Sequence, residues 1–153
     1  MEYDIYGPLE DPEYWKKCED AAASLPANIQ VKYCGMVDHE DIHRVFSGYD
    51  AFFFPTQSEN FGHVLAESFA AGCPVIVSDQ TPWLELQEQK VGWDIPLDQN
   101  KKFTDAIQNI VDMGSDAHLF YRENCKTYFQ NKMQLNHLKL NYMSVFKEIT
   151  DPQ

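Results

Sequence analysis

Residues 51–79 read AFFFPTQSENFGHVLAESFAAGCPVIVSD. The stretch opens and closes on short apolar runs, AFFFP and PVIVSD, rich in the aromatic and β-branched residues that favour extended chain. Between them, HVLAESFAAG has a helix-forming composition. It ends at Gly72, where a left-handed residue commonly terminates a helix, and Pro74 lies just beyond. Strand, helix and strand in that order make a parallel unit with a right-handed crossover. Both runs are apolar on both faces, as expected for strands covered by helices above and below.

The same alternation continues outward. YDIYG near residue 3, IQVKYCG from 29 and GWDIP from 92 are further strands by the same criteria. PEYWKKCEDAAASL opens on Pro12, a good first-turn residue. HEDIHRVFSGY begins beside Asp38, a natural N-cap, and sets Ile42, Val45 and Phe46 on one face. QTPWLELQEQKV is too irregular for more than a turn or two of helix. From Lys101 the pattern turns wholly helical: KKFTDAIQNIVDM, then 116–131, then 135–149. Phe103, Ile107, Ile110 and Val111 fall at helical spacing, as do Leu138, Tyr142, Val145, Phe146 and Ile149, and such stripes pack against a sheet. The expected fold class is α/β: a Rossmann-like parallel sheet with helices on both faces, followed by closing helices at its C-terminus. No repeat or low-complexity linker divides it, so residues 1–153 are expected to form a single domain.

Composition narrows the function. The 153 residues carry a net charge of −12. Residues 1–100 hold 5 Lys and Arg against 18 Asp and Glu, whereas 101–153 hold 7 against 6. An acidic body without a Lys/Arg run repels nucleic-acid phosphates and anionic membranes. Cys18, Cys34, Cys73 and Cys125 are scattered and never form a CxxC pair, the usage of free thiols in a reducing compartment. The N-terminus has neither a basic start nor a long apolar segment, and no run approaches the ~20 apolar residues of a membrane helix. The chain reads as cytoplasmic.

Glu59 and Glu67 bracket the point where loop TQSENFG enters the helix. Ligands of open parallel sheets sit beyond the carboxyl ends of the strands, where this loop lies. The first amides of a helix lack internal partners and carry partial positive charge, so they attract phosphate or diphosphate. Gly62, without a Cβ, allows close backbone approach. Carboxylates accept hydrogen bonds from hydroxyls. Glu59 before the helix and Glu67 about a turn and a half inside it could flank a diphosphate bearing hydroxyl-rich groups on both sides, as in a nucleotide sugar. The plainer alternative is that these acids are only dipole partners or solvated surface.

SENFGHVLAESFAAGCPVIVSD, with its E-x7-E spacing, resembles the signature of the retaining GT-B glycosyltransferases of the glycosyl transferases group 1 family. The likeness continues through DIYGP at 4–8, YCGMVDHEDIHRVFSGYDAFFFPT at 33–56, QTPWLEL from 80 and VGWDIPLD up to 98. It implies a nucleotide-sugar donor domain. Glu59 would contact the donor sugar near its anomeric centre and carry the catalytic role. Asn60 and the backbone of Phe61, Gly62, His63 and Val64 would hold the sugar and diphosphate. Glu67 would bind the ribose, and Gly35, Met36 and Val37 would lie near the base. No cofactor or metal is implied.

The resemblance also implies a sheet truncated at its N-terminus, without the family's first strand of this domain, and further parts that this chain does not show. A Gly-Arg turn and a Lys-Gly that grip the phosphates have no counterpart, since Lys16, Lys17, Lys32, Arg44 and Lys90 match neither. The expected partner is an N-terminal acceptor domain carrying the family's usual histidine, and the chain alone is expected not to transfer sugar. In the strand order 3-2-1-4-5-6 the first strand is central. Without it, either YDIYG pairs directly with AFFFP or a second copy fills the place by self-association through the sheet edge.

Other residues read more plainly. His39 and His43 are spaced i, i+4 beside Asp38, Glu40 and Asp41, which suits zinc, but a solvated acidic helix start is the simpler account. His63 could approach a phosphate or merely cover the loop. Asp79 and Thr81 reach the ligand edge or cap the next turn. Trp83 and Trp93 are packing residues rather than base-stacking platforms. Two other functions compete with transfer: a non-catalytic binding module that keeps the donor pocket, and a receiver-type signalling domain. The receiver reading lacks the clustered acids after the first strand and the later lysine.

Overall fold

The computed structural model describes residues 1–133 of the chain. All five expected strands form: β1 Glu2–Tyr6, β2 Gln30–Gly35, β3 Phe52–Phe54, β4 Val75–Ser78 and β5 Gly92–Ile95. The helices are α1 Pro12–Ala23, α2 Ile42–Ser47, α3 His63–Ala70, α4 Asn100–Val111 and α5 Ser115–Lys132. QTPWLELQEQKV forms turns and bends without a helix. The helical pattern at 135–149 lies outside the described residues.

Every pairing is parallel. The strands lie in two sheets, β1-β2 and β3-β4-β5, and belong to two compact units, Met1–Ile42 and the chain from His43 onward. A direct β1–β3 ladder does not form: the partner of β1 is β2, and that of β3 is β4. The backbone groups of each strand are paired within its own unit instead.

In the first unit, Asp11 caps α1 by accepting a hydrogen bond from the Tyr14 amide at 2.9 Å, with Pro12 at the first helical position. Trp15 of α1 meets Tyr33 of β2 at 5.0 Å between ring centroids. The Tyr33 hydroxyl donates to the Gly7 carbonyl at 2.6 Å. None of residues 1–42 is fully buried.

The core lies in the second unit. Along β4, Val75 and Val77 face a cluster with Leu65, Ala66 and Phe69 of α3, Trp83 and Cys125 of α5, while Ile76 faces Trp93, Ile95, Phe103 and Ala106. Phe52 and Phe54 join the first cluster and Phe53 the second, so the two-residue period of a strand distributes side chains to both faces. Helices therefore cover both faces of this sheet. All of β4 is buried, whereas β3, with one strand neighbour, is half-buried. Val111 departs from the expected stripe of α4 and is 55% exposed. At ~100° per residue it falls about 90° from the centre of the stripe formed by Phe103, Ala106, Ile107 and Ile110. It is also the last helical residue.

Asp38 occupies an N-cap position, but its side chain accepts no capping hydrogen bond, and the first turn after it, His39–Asp41, is a 3-10 turn. Gly72 has φ +75°, the left-handed helix end its sequence position predicts. Both Trp83 and Trp93 are buried, as packing residues should be. All four cysteines are free thiols. Among the described residues, no helix is long and apolar enough to cross a membrane.

Candidate functional site

The loop from Pro55 to Gly62 leaves the carboxyl end of β3 and enters α3, and it is tied to the loop that leaves β4. Glu59 donates its amide to the Gln80 carbonyl at 3.1 Å. The Ser78 hydroxyl donates to the Thr56 carbonyl, and Thr56 Oγ1 donates to the Ser58 carbonyl at 3.0 Å. Ser78 is the last residue of β4, so both loops are anchored at one end of the sheet. The sequence places the ligand edge there, and the chain's polar residues at that edge bind each other.

Gly62 is the N-cap of α3, with φ 76° and ψ 61°. It is buried, and a Cβ there would lie 2.9 Å from Leu65 Cδ1, 3.1 Å from Glu59 Cγ and 3.2 Å from Trp83 Nε1. Glycine at this position thus satisfies a left-handed backbone and close packing by the chain's own side chains. The Gly62 amide donates to Glu59 Oε1 at 3.1 Å. The carboxylate sits where the helix dipole favours negative charge. The Gly62 carbonyl accepts from the amides of Leu65 and Ala66. The next two amides, of His63 and Val64, have no acceptor among the described residues.

The other predicted residues of the second unit lie on this turn and on α3. Asn60, Phe61 and His63 are exposed, Val64, Glu59 and Glu67 are half-buried, and the Phe61 and His63 rings lie 4.8 Å apart. Glu67 stands four residues into α3 from His63, about 6 Å along the axis. Gly35, Met36 and Val37 belong to the first unit: Gly35 ends β2 with φ +77°, Met36 is exposed and Val37 half-buried. Asp79 Oδ1 accepts from Gln80 Nε2 at 2.6 Å, and Thr81 Oγ1 binds the Trp83 amide at 3.2 Å, so both serve the turn after β4. Among the described residues, no group of three or more His, Cys, Asp or Glu is arranged to hold a metal ion.

Two features were not legible as site features in the sequence. Trp83, read as packing, also donates its indole N–H to the Phe61 carbonyl at 2.5 Å. The available signal was the polar edge of a buried indole, which needs an acceptor. Asp94 of β5 accepts from the amides of both Glu85 and Leu86, at 3.1 and 2.9 Å, where Glu85 has φ +62°. A groove of about 450 Å3 lies between that turn and α5, lined by Leu84, Glu85, Gln89, Asn131, Tyr128 and Lys132 among others; residues 59–64 and 67 do not line it.

Comparison with curated proteins gives no match. The model of the family described as glycosyl transferases group 1 matches residues 2–129, which takes in all five strands, the α3 turn and most of α5. A parallel α/β scaffold, an E-x7-E segment folded as loop and helix at the carboxyl edge, and a family match over most of the sequence agree with one another: the chain belongs to the glycosyl transferases group 1 family.

Proposed function

We propose that this chain is the donor-binding part of a retaining glycosyltransferase that uses a nucleotide sugar. The diphosphate lies against the start of α3 and is held by the amides of His63 and Val64, with Phe61 and Gly62 shaping the approach. Glu59 and Asn60 take the sugar hydroxyls, and Glu59 acts beside the anomeric carbon. Glu67 accepts hydrogen bonds from the ribose hydroxyls, and Gly35, Met36 and Val37 serve the base. In this reading the dipole of α3 offsets the charge of the departing diphosphate without a divalent metal. Transfer to an acceptor requires an N-terminal domain that closes over the donor, so the chain alone binds without transferring.

The observation that carries this reading is the turn at Gly62: two amides without an acceptor among the described residues, flanked by carboxylates eight positions apart, in a chain of a glycosyltransferase family. Calorimetric titration of the chain with UDP and with GDP tests it. Weak binding of one of them is expected, weakened by a further 1–3 kcal/mol or so in Glu67→Ala from the loss of charged hydrogen bonds. Wild-type affinity in Glu67→Ala would remove Glu67 from the ribose. One observation favours a second reading, a nucleotide-binding module without transfer: Glu59 is already engaged by the Gly62 amide. A transferase assay on the full-length gene product separates the two.

A further inference from the structure

The peptide joining Phe61 to Gly62 is held at both its polar ends. Its carbonyl oxygen accepts the indole N–H of Trp83 at 2.5 Å, and its N–H donates to Glu59 Oε1 at 3.1 Å. A peptide unit is planar, so fixing its two polar groups fixes the whole plane. The following amides, of His63 and Val64, take their direction from that plane through the left-handed Gly62. Trp83 is itself immobilised. It is 2% exposed, its ring lies 5.2 Å from that of Phe69 and 6.1 Å from that of Tyr128, and Lys132 Nζ sits 5.8 Å from its ring centroid. Its own amide binds Thr81 Oγ1 at 3.2 Å. Packing alone would be served by any large aromatic ring; the indole N–H aimed at Phe61 adds a second role.

We infer that Trp83 is a positioning residue for the donor loop: together with Glu59 it clamps the Phe61–Gly62 peptide and so aims the His63 and Val64 amides at the ligand. The inference rests on the reading of those amides as diphosphate donors. Its test separates the two claims by using a readout that needs no ligand.

Trp83→Phe keeps an aromatic ring and removes the N–H. Trp93→Phe is the control, because Trp93 is equally buried but stacks on Tyr121 in the other core cluster. Amide hydrogen exchange and UDP or GDP titration are measured on both variants and on the wild-type chain. The clamp predicts that Trp83→Phe speeds exchange at the Gly62 amide and the amides beside it about tenfold and weakens nucleotide binding about tenfold, from the loss of one part-buried hydrogen bond. Trp93→Phe should leave both unchanged. Equal exchange in the two variants across residues 59–64 would overturn the inference. Faster exchange in Trp83→Phe, with a wild-type chain that binds neither nucleotide, would uphold the clamp and remove the donor reading. Should Trp83→Phe not fold, the wild-type indole protons decide. That of Trp83 should exchange at least tenfold more slowly than that of Trp15, which bonds Glu19 on an exposed helix face. Equal rates would overturn the clamp.

Discussion

At the scale of single residues, the site is decided by which polar groups are already engaged. Glu59 bonds the Gly62 amide and Trp83 the Phe61 carbonyl, leaving the amides of His63 and Val64 as the open donors of the turn among the described residues. The sequence revealed the identity of these residues through E-x7-E spacing and a helix start. It did not reveal that Gly62 is packed by Leu65, Glu59 and Trp83, because Leu65 and Glu59 close on it only through the left-handed turn and Trp83 comes from a distant part of the sequence. Buried thiols give a second residue-scale expectation. Burial pushes the Cys73 thiol from its ordinary 9.0 up to about 11, and burial raises Cys125 as well. The folded state then holds its protons more tightly than the unfolded chain. The stability this provides is fully present below pH 9 and is lost as pH rises through about 11. Thermal melts should therefore show Tm falling as pH rises above 9, a fall that Cys73→Ala makes shallower. An unchanged alkaline slope in Cys73→Ala would show that Cys73 takes no part.

At the scale of elements, all five strands and the main helices were legible, because β-branched and aromatic runs alternate with capped helical segments. The exceptions follow from what surrounds an element. Strand β3 is apolar on both faces yet only half-buried, since it has one strand neighbour. Asp38 has the right residue type for a cap, but its side chain accepts no bond from the turn it precedes. Helix α5 shows how a connection hidden from sequence patterns holds the second unit. Arg122 donates to the carbonyls of Tyr49 and Ser47, each at 2.9 Å, and His118 Nε2 lies 3.0 Å from the Asp50 carbonyl. These bonds tie the end of α2 and the approach to β3 to a helix more than 60 residues away in sequence. Charged hydrogen bonds to backbone contribute roughly 1.5–3 kcal/mol when buried, and Arg122 is half-exposed. Arg122→Ala should accordingly lower unfolding free energy by about 1–2 kcal/mol in urea denaturation, with little change in m. A loss below 0.5 kcal/mol or so would mean that solvent replaces those bonds.

At the scale of the molecule, burial is uneven. The second unit contains both core clusters, while residues 1–42 contain no fully buried side chain. Local stability follows buried apolar contact, so exchange should be fast across β1, α1 and β2 and slow in α3, β4 and β5. Uniform protection across the two units would contradict that ranking. The division into two units could not be read from the sequence, where the strand–helix alternation runs on without a linker. The central claim is that the start of α3 receives a diphosphate. Its most direct test is a titration of the whole chain followed by amide NMR, comparing UDP and GDP with uridine and guanosine. The account predicts saturable shifts at His63 and Val64 with at least one diphosphate and none with the nucleosides. Unmoved His63 and Val64 signals at saturating nucleotide diphosphate would contradict it.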